Sequence, residues 1–412
     1  MTVATIFQNA NILGKEADGL LDLRVVDGRI AEIGPGLTGA EEIIDLNGKL
    51  ATPGLIESHI HLDKACILAR CAPEPETGPT NHAARVTEAK EKFTVEDVYE
   101  RACRTLEKCI SNGTTRMRTH VEIDPPAGLI CLEGVMQAAK EYAWAIDVEI
   151  CAFPQEGLTQ ADETDAFLLE ALDKGATCVG AAPGYDPDHN GQIDRVFALA
   201  RERDIDVDMH LDFGNTPEDM DLHYVCELTE KFGYGGRVNV GHVTKMSVAA
   251  PDDVAEISKR VAETGVALTV LPATDLFLMG RDQDRGIRRG VLEAHRLIPE
   301  GVTCTLSSNN ILNPFTPFGD GSLMRMANMY ANIAQASKPA EIRNCFDMTS
   351  FQSARMMRLN DYGIEVGNPA DIVVFDAASP EAAVAESIAP EVGYKAGRQT
   401  FTRPAAQIHR PA

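Results

Sequence analysis

Ten histidines occur in this 412-residue chain, and five of them fall where a metal-assisted hydrolysis would need them. His59 and His61 are one residue apart at the end of the apolar run GLIESHIH (54–61). Alternate residues of a strand share a face, so both imidazoles point the same way, as two ligands on one ion require. His120 lies near the end of TRMRTHVEI (115–123), His210 near the end of DIDVDMHLD (204–212) and His242 near the end of RVNVGHV (237–243). Neutral imidazole is the commonest ligand for Zn²⁺ and similar ions. A divalent ion lowers the pKa of its water to roughly 7, so this set offers attack of hydroxide on a polarised carbon. A lone histidine is more often a hydrogen-bonded core residue. Five at equivalent strand ends are hard to reconcile with chance placement.

The elements that must position them are eight short β-rich runs. Besides those above they are DVEICAFP (147–154), ATCVGAA (176–182), VALTVLP (266–272) and VTCTLSSNN (302–310). Helical patterns lie between, such as VEDVYERACRTLEKCISNG (95–113), ETDAFLLEALDKG (163–175) and DDVAEISKRVAETG (252–265). They open on acidic or capping residues and close on Gly, as helices do. Eight strands alternating with helices predict an α/β chain with a (β/α)₈ TIM-like barrel over 55–362. Strand C-termini then converge on one mouth, where active sites sit. An open doubly wound sheet would want a Gly-rich phosphate loop after its first strand, where His59-Ile60-His61 stands instead. Residues 1–54 and 363–412 read as short strands with Gly turns, Asp27-Gly28 among them, and predict one small β-sandwich domain formed by both termini.

Composition narrows the partners. Lys plus Arg is 38 against 62 Asp plus Glu, a net charge of −24. That surface repels phosphate, so a small-molecule substrate is expected rather than nucleic acid or an anionic membrane. The ten cysteines form no C-x-x-C pair, which excludes zinc-finger and thioredoxin readings. MTVATIFQNA lacks the basic and apolar regions of a signal peptide, and no run of 18 apolar residues occurs, so a reducing cytoplasm is the expected compartment. Other features have plain readings. The charged stretch 81–102 is expected to be a solvated face or mouth covering. MRMANMYANIAQ (324–335) is expected to be core or subunit packing. The start of a calcium loop at Asp186, Asp188 and Asn190 fails at its twelfth position, Ala198.

Several segments resemble a known family. GLIESHIHLDK is similar to the first-strand signature of the amidohydrolase superfamily, the metal-dependent (β/α)₈ hydrolases. More narrowly, the chain resembles the cytosine deaminase group, including N-isopropylammelide amidohydrolase. The supporting segments are NGTTRMRTHVEID (112–124), AFPQEGL (152–158), DMHLD (208–212), GHVTKM (241–246), the MGR…RRG stretch (279–290), NPFTPFGDGSLMRMANM (313–329) and GNPADIVVFD (367–376). The resemblance implies that His59, His61 and His210 hold one divalent ion, with Zn or Fe expected. It implies that His242 orients water or substrate, that Gln155 hydrogen-bonds a ring, and that Phe315 forms an aromatic wall. Related enzymes often form oligomers, so a homo-oligomer is expected.

Three positions depart from the family's pattern. Its eighth strand ends in an aspartate that binds the metal and takes a proton; the matching residue is Asn309, a weak neutral ligand that cannot act as a base. The aspartate after it is Asn310. The glutamate that serves the ring nitrogen in cytosine deaminases is Phe213. The proton acceptor is then sought among His242, Asp212 and His120, with Asp63 and Asp275 also near strand ends; Asp212 has the plainer reading of a helix cap. The expected function is hydrolysis of a C–N bond in a small polar cyclic amide or amidine. The metal is held by His59, His61, His210 and Asn309, and the substrate by Gln155, Asn310, Phe315 and His120. The alternative is a metal-free or non-hydrolytic member binding a small ligand in the same mouth.

Overall fold

A computed structural model describes residues 4–76 and 80–410. The first three residues of the N-terminal reading therefore lie outside the described residues. Each of the eight runs forms a strand: Leu55–Ile60, Thr114–Glu122, Asp147–Phe153, Cys178–Val179, Asp206–Leu211, Val238–His242, Ala267–Val270 and Cys304–Leu306. Neighbours pair parallel, in chain order. The fourth is the shortest, and at Gly180, just past its end, a Cβ would lie 2.5 Å from Asp208 O. The barrel closes at the first histidine pair: His61 N–H donates to Asn309 O at 2.9 Å, and Asn309 N–H to His59 O at 3.0 Å. Below that bridge Ser307 Oγ accepts the N–H groups of Ser58 (2.9 Å) and His59 (3.1 Å). Thus the seam of the barrel and the base of the site are the same residues.

The predicted helices form, two of them stopping at their predicted glycines and the first ending at Ile110, three residues before Gly113. Val95–Ile110 starts on the Thr94 side chain and buries Val98, Ala102, Leu106 and Cys109 on one face. Asp162–Lys174 and Pro251–Thr264 stop at Gly175 (φ 117°) and Gly265 (φ 72°), in the left-handed region glycine adopts without a Cβ clash. MRMANMYANIAQ supplies the helix Leu323–Ile333, with Tyr330 in the core. Asp186 accepts from Leu158 and Thr159 N–H, and Asp188 caps the helix His189–Arg203, so the calcium-like run is structural.

A second sheet joins the termini. Its strand order runs Arg398–Thr402, Val392–Lys395, Ile372–Phe375, Leu50–Pro53, Ala4–Ile12, Leu21–Val26, Arg29–Gly34, with Glu42–Asp45 on Ala4–Ile12. Phe7 from one half meets Tyr394 from the other, ring centroids 4.7 Å apart, inside a separate small core. Both predicted turns carry two left-handed residues, Asp27-Gly28 and Ala396-Gly397.

One expectation is corrected. The stretch 81–102 is not simply a solvated face, because Lys90 and Arg101 are buried. Lys90 Nζ lies 2.7 Å from Glu122, 3.2 Å from Asp124 and 2.6 Å from Glu156. Arg101 donates to Asp63 O (2.6 Å) and Ala65 O (3.0 Å), clamping the loop after the first barrel strand. Three carboxylates share the Lys90 charge, so removing it leaves buried anions under-compensated. Lys90→Met should destabilise the chain by about 3–5 kcal/mol, read from urea unfolding midpoints. A loss below about 1 kcal/mol would mean the cluster adapts by taking up protons or water.

Candidate active site

Three imidazoles converge at the C-terminal ends of the first and fifth barrel strands. His59 Nε2 and His61 Nε2 each lie 3.1 Å from His210 Nε2. Nitrogens on one tetrahedral ion at ~2.0–2.1 Å stand about 3.3 Å apart, so these two distances suit ligands on one ion. Burial drives all three to the neutral form a metal needs: His59 falls to about 3, and His61 and His210 lie well below the usual imidazole range.

His120 sits behind this set. It has a ring nitrogen within 4.8 Å of nitrogens of His59 and His210. Its ring, however, stacks on His59 at 3.8 Å, and its Nε2 faces Asp208 Oδ1 at 3.3 Å. It is fully buried and does not line the cavity, so the structure does not bring it to the substrate wall expected for it. Asp208 is the fixed point beneath. It accepts from Arg118 (3.0 Å) and Asn239 (2.8 Å), with His59 Nδ1 at 3.8 Å. Burial alone would raise its carboxyl, but His120, His59 and Arg118 hold it well below the usual range.

His242 and Asn309 form the other side. Asp275 Oδ1 lies 2.6 Å from His242 Nδ1 and fixes a proton there, which leaves Nε2 facing Asn309 Nδ2 at 3.4 Å. Burial raises the Asp275 carboxyl while His242 pulls it down. The backbone is left-handed at His242 (φ 73°), Val243 (φ 48°), Asp212 (φ 52°) and Asn309 (φ 58°). Such conformations are costly, most of all for a β-branched valine; His242, Asp212 and Asn309 line the mouth, whereas Val243 packs in the core. Asp212 reaches the cavity wall, yet both its oxygens accept helix N–H groups, Asp221 at 2.8 Å and Leu222 at 3.0 Å. The capping reading therefore describes its contacts. Burial, against those two bonds, raises its carboxyl to about 6.

The residues present fit a divalent ion. Among the described residues the three Nε2 atoms have only one another as hydrogen-bond contacts, and the buried Asn309 Oδ1 has no hydrogen-bond partner. Two neutral rings edge to edge at 3.1 Å, beside an orphaned amide oxygen, are left satisfied by a cation.

The mouth opens into a cavity of about 420 Å³. His61, His210, His242, Asn309, Gln155, Asn310 and Phe315 all line it, so every predicted metal and ring-binding residue except His59 and His120 is on its wall. Phe213, in place of the ring-protonating glutamate, is 44% exposed at the rim, its ring edge-on to His242 at 5.3 Å. Sequence reasoning missed Lys64, Tyr185 and Lys245, which also line the cavity. Lys64 had a readable signal: it lies three residues after His61 in a segment leading from the strand end, and a buried lysine must find carboxylates.

The match to known proteins agrees with this geometry. The chain is 26% identical to the N-isopropylammelide isopropyl amidohydrolase of Pseudomonas sp. (strain ADP) over 388 residues, 92% of each chain. It is 27% identical to the pterin deaminase of Rhizobium rhizogenes over 88% of this chain and 84% of that one. A crystal structure of 5-methylcytosine deaminase from Klebsiella pneumoniae, liganded with phosphonocytosine, superposes with a TM-score of 0.92 at 26% identity, covering 98% of this chain and all of the other. Residues 42–401 match the amidohydrolase family, and the chain belongs to it.

Proposed function

We propose that this chain hydrolyses a C–N bond of a small, planar, nitrogen-rich ring with the help of one divalent ion, zinc or iron. The observation that carries the proposal is the convergence of the His59, His61 and His210 Nε2 atoms beside a cavity that His61, His210 and His242 line. An ion held by these three imidazoles and Asn309 Oδ1 would polarise the ring carbon and make water nucleophilic near neutral pH. His242 does the proton work. With Nδ1–H held by Asp275, its Nε2 takes a proton from the attacking water and returns it to the departing nitrogen, so the C–N bond breaks as the C–O bond forms. The products are an oxo ring and ammonia or an amine. Asp212, with both oxygens committed to a helix N-terminus, shapes the wall. Phe315 packs against one ring face. The names of the two relatives and of the solved deaminase support a planar ring substrate. Phe213 argues against cytosine itself, because no carboxyl replaces the ring-nitrogen proton donor there.

A panel of amino- and alkylamino-substituted pyrimidines, triazines and pterins, given to protein loaded with zinc, iron or manganese, tests the reading. Release of ammonia or amine supports it. Release from none of them overturns it. A metal-free binding site is the second reading, favoured by the neutral Asn309; elemental analysis separates the two, since it requires an ion content near zero.

A further inference from the structure

The polar end of the cavity is built from groups whose hydrogen-bonding direction can be read from chemistry alone. An ammonium only donates. Lys64 Nζ lies 2.5 Å from Glu122 Oε1 and 3.3 Å from the Gln155 side chain, so the Gln155 atom facing it is the oxygen. A parallel chain of constraints fixes Asn310. Asn313 Oδ1 accepts the backbone N–H groups of Phe315 (3.0 Å) and Thr316 (3.1 Å), so its other atom must be the donating nitrogen. That nitrogen donates to Asn310 at 2.6 Å, which occupies the Asn310 oxygen. Both amides have their acceptors turned back into the protein. Among the described residues no protein acceptor takes Gln155 Nε2 or Asn310 Nδ2. Lys64, Gln155 and Asn310 line one cavity, with the Phe315 ring centroid 4.8 Å from Lys64 Nζ.

We propose that Lys64, by holding the Gln155 oxygen, makes this end of the cavity donor-only and so selects rings whose bound edge carries acceptors, an oxo group or oxyanion beside an unprotonated ring nitrogen, over rings that present amino groups there. Without the ammonium, Gln155 is free to rotate its amide and read either edge. Lys64 is thus a positioning and specificity residue. The inference rests on reading the cavity as a planar-ring site.

Calorimetric titration of the zinc-loaded full chain with barbiturate and with 2,4,6-triaminopyrimidine tests it, at a pH where the triamine is uncharged. Barbiturate should bind at least about tenfold more tightly, the scale on which an unmatched polar edge is rejected. Lys64→Met should bring the two within about threefold, chiefly by weakening barbiturate. Lys90 remains 2.7 Å from Glu122 in that variant, so the carboxylate keeps a partner. Gln155→Glu turns the same edge into an acceptor and should reverse the order of the two rings; it decides the matter if Lys64→Met fails to fold. Equal affinities in the parent chain overturn the selection and leave the ring site standing. A preference that survives both substitutions overturns the role of Lys64. Binding of neither ring overturns the ring-site reading itself.

Discussion

His242→Ala should lower kcat for release of a ring amine by about 10²–10⁴-fold, the range a positioned general acid–base supplies, with bound metal unchanged. The geometry separates the two readouts. His242 Nε2 faces Asn309 Nδ2, while the nitrogens proposed to hold the metal are those of His59, His61 and His210. Asp275→Asn should act in the same direction. A carboxylate 2.6 Å from Nδ1 can only accept, which keeps the proton on that nitrogen and Nε2 open. An amide there can donate instead and move the imidazole proton to Nε2, where it blocks acceptance. A loss on the order of 10³-fold is expected, with KM little changed, because the defect is in the tautomer rather than in ring binding. Elemental analysis beside steady-state kinetics decides the point. Metal lost in step with rate would show that His242 is a ligand and would sink its assignment as proton carrier.

How much of this was legible depends on how far apart the cooperating residues lie in sequence. His59 and His61 declared themselves because alternate strand residues share a face, a local rule. Helix ends at Gly175 and Gly265 were equally local, set by one residue's tolerance of positive φ. The second barrel strand shows where local rules stop. Arg118, His120 and Glu122 share its inward face, and that alternation is visible in TRMRTHVE. What each meets is not. Arg118 and His120 meet Asp208 on the fifth strand, at 3.0 and 3.3 Å, and Glu122 meets Lys64 and Lys90. Depth along the barrel axis decides the role. The same histidine one layer higher would have lined the cavity; at its actual depth it stacks behind His59. Lys90 was misjudged for the converse reason. A charge run is solvated by default, and only the convergence of Glu122, Asp124 and Glu156 from two neighbouring strand ends overrides that default.

Asn309→Asp should tighten divalent metal by about 10²–10³-fold. One unit charge pair at 4 Å in an effective dielectric of 20 is worth ~4 kcal/mol, part of which desolvation of the new carboxylate offsets. The site is prepared for it. Asn309 Oδ1 is buried without a hydrogen-bond partner among the described residues, and its backbone is fixed between His59 and His61 by two hydrogen bonds of 2.9 and 3.0 Å. Its φ of 58° suits Asp as well as Asn, so the backbone conformation does not account for the amide. What the amide does account for is the contact to His242: Nδ2 can donate to Nε2, whereas a carboxylate can only accept and would draw a proton onto that ring. The substitution therefore exchanges two properties. Metal affinity rises, and the basicity of His242 at rest rises with it. If the parent chain holds about one ion, the variant should bind metal more tightly, and turnover near neutral pH should not fall even though His242 is more readily protonated, because the new carboxylate can itself take the water's proton. If the parent holds none and the variant fills, the imidazoles are a ligand set lacking only the carboxylate, and the parent cavity works by its hydrogen-bonding walls alone. Equilibrium dialysis with zinc over both chains distinguishes these. Unchanged affinity would exclude Asn309 from the coordination sphere altogether.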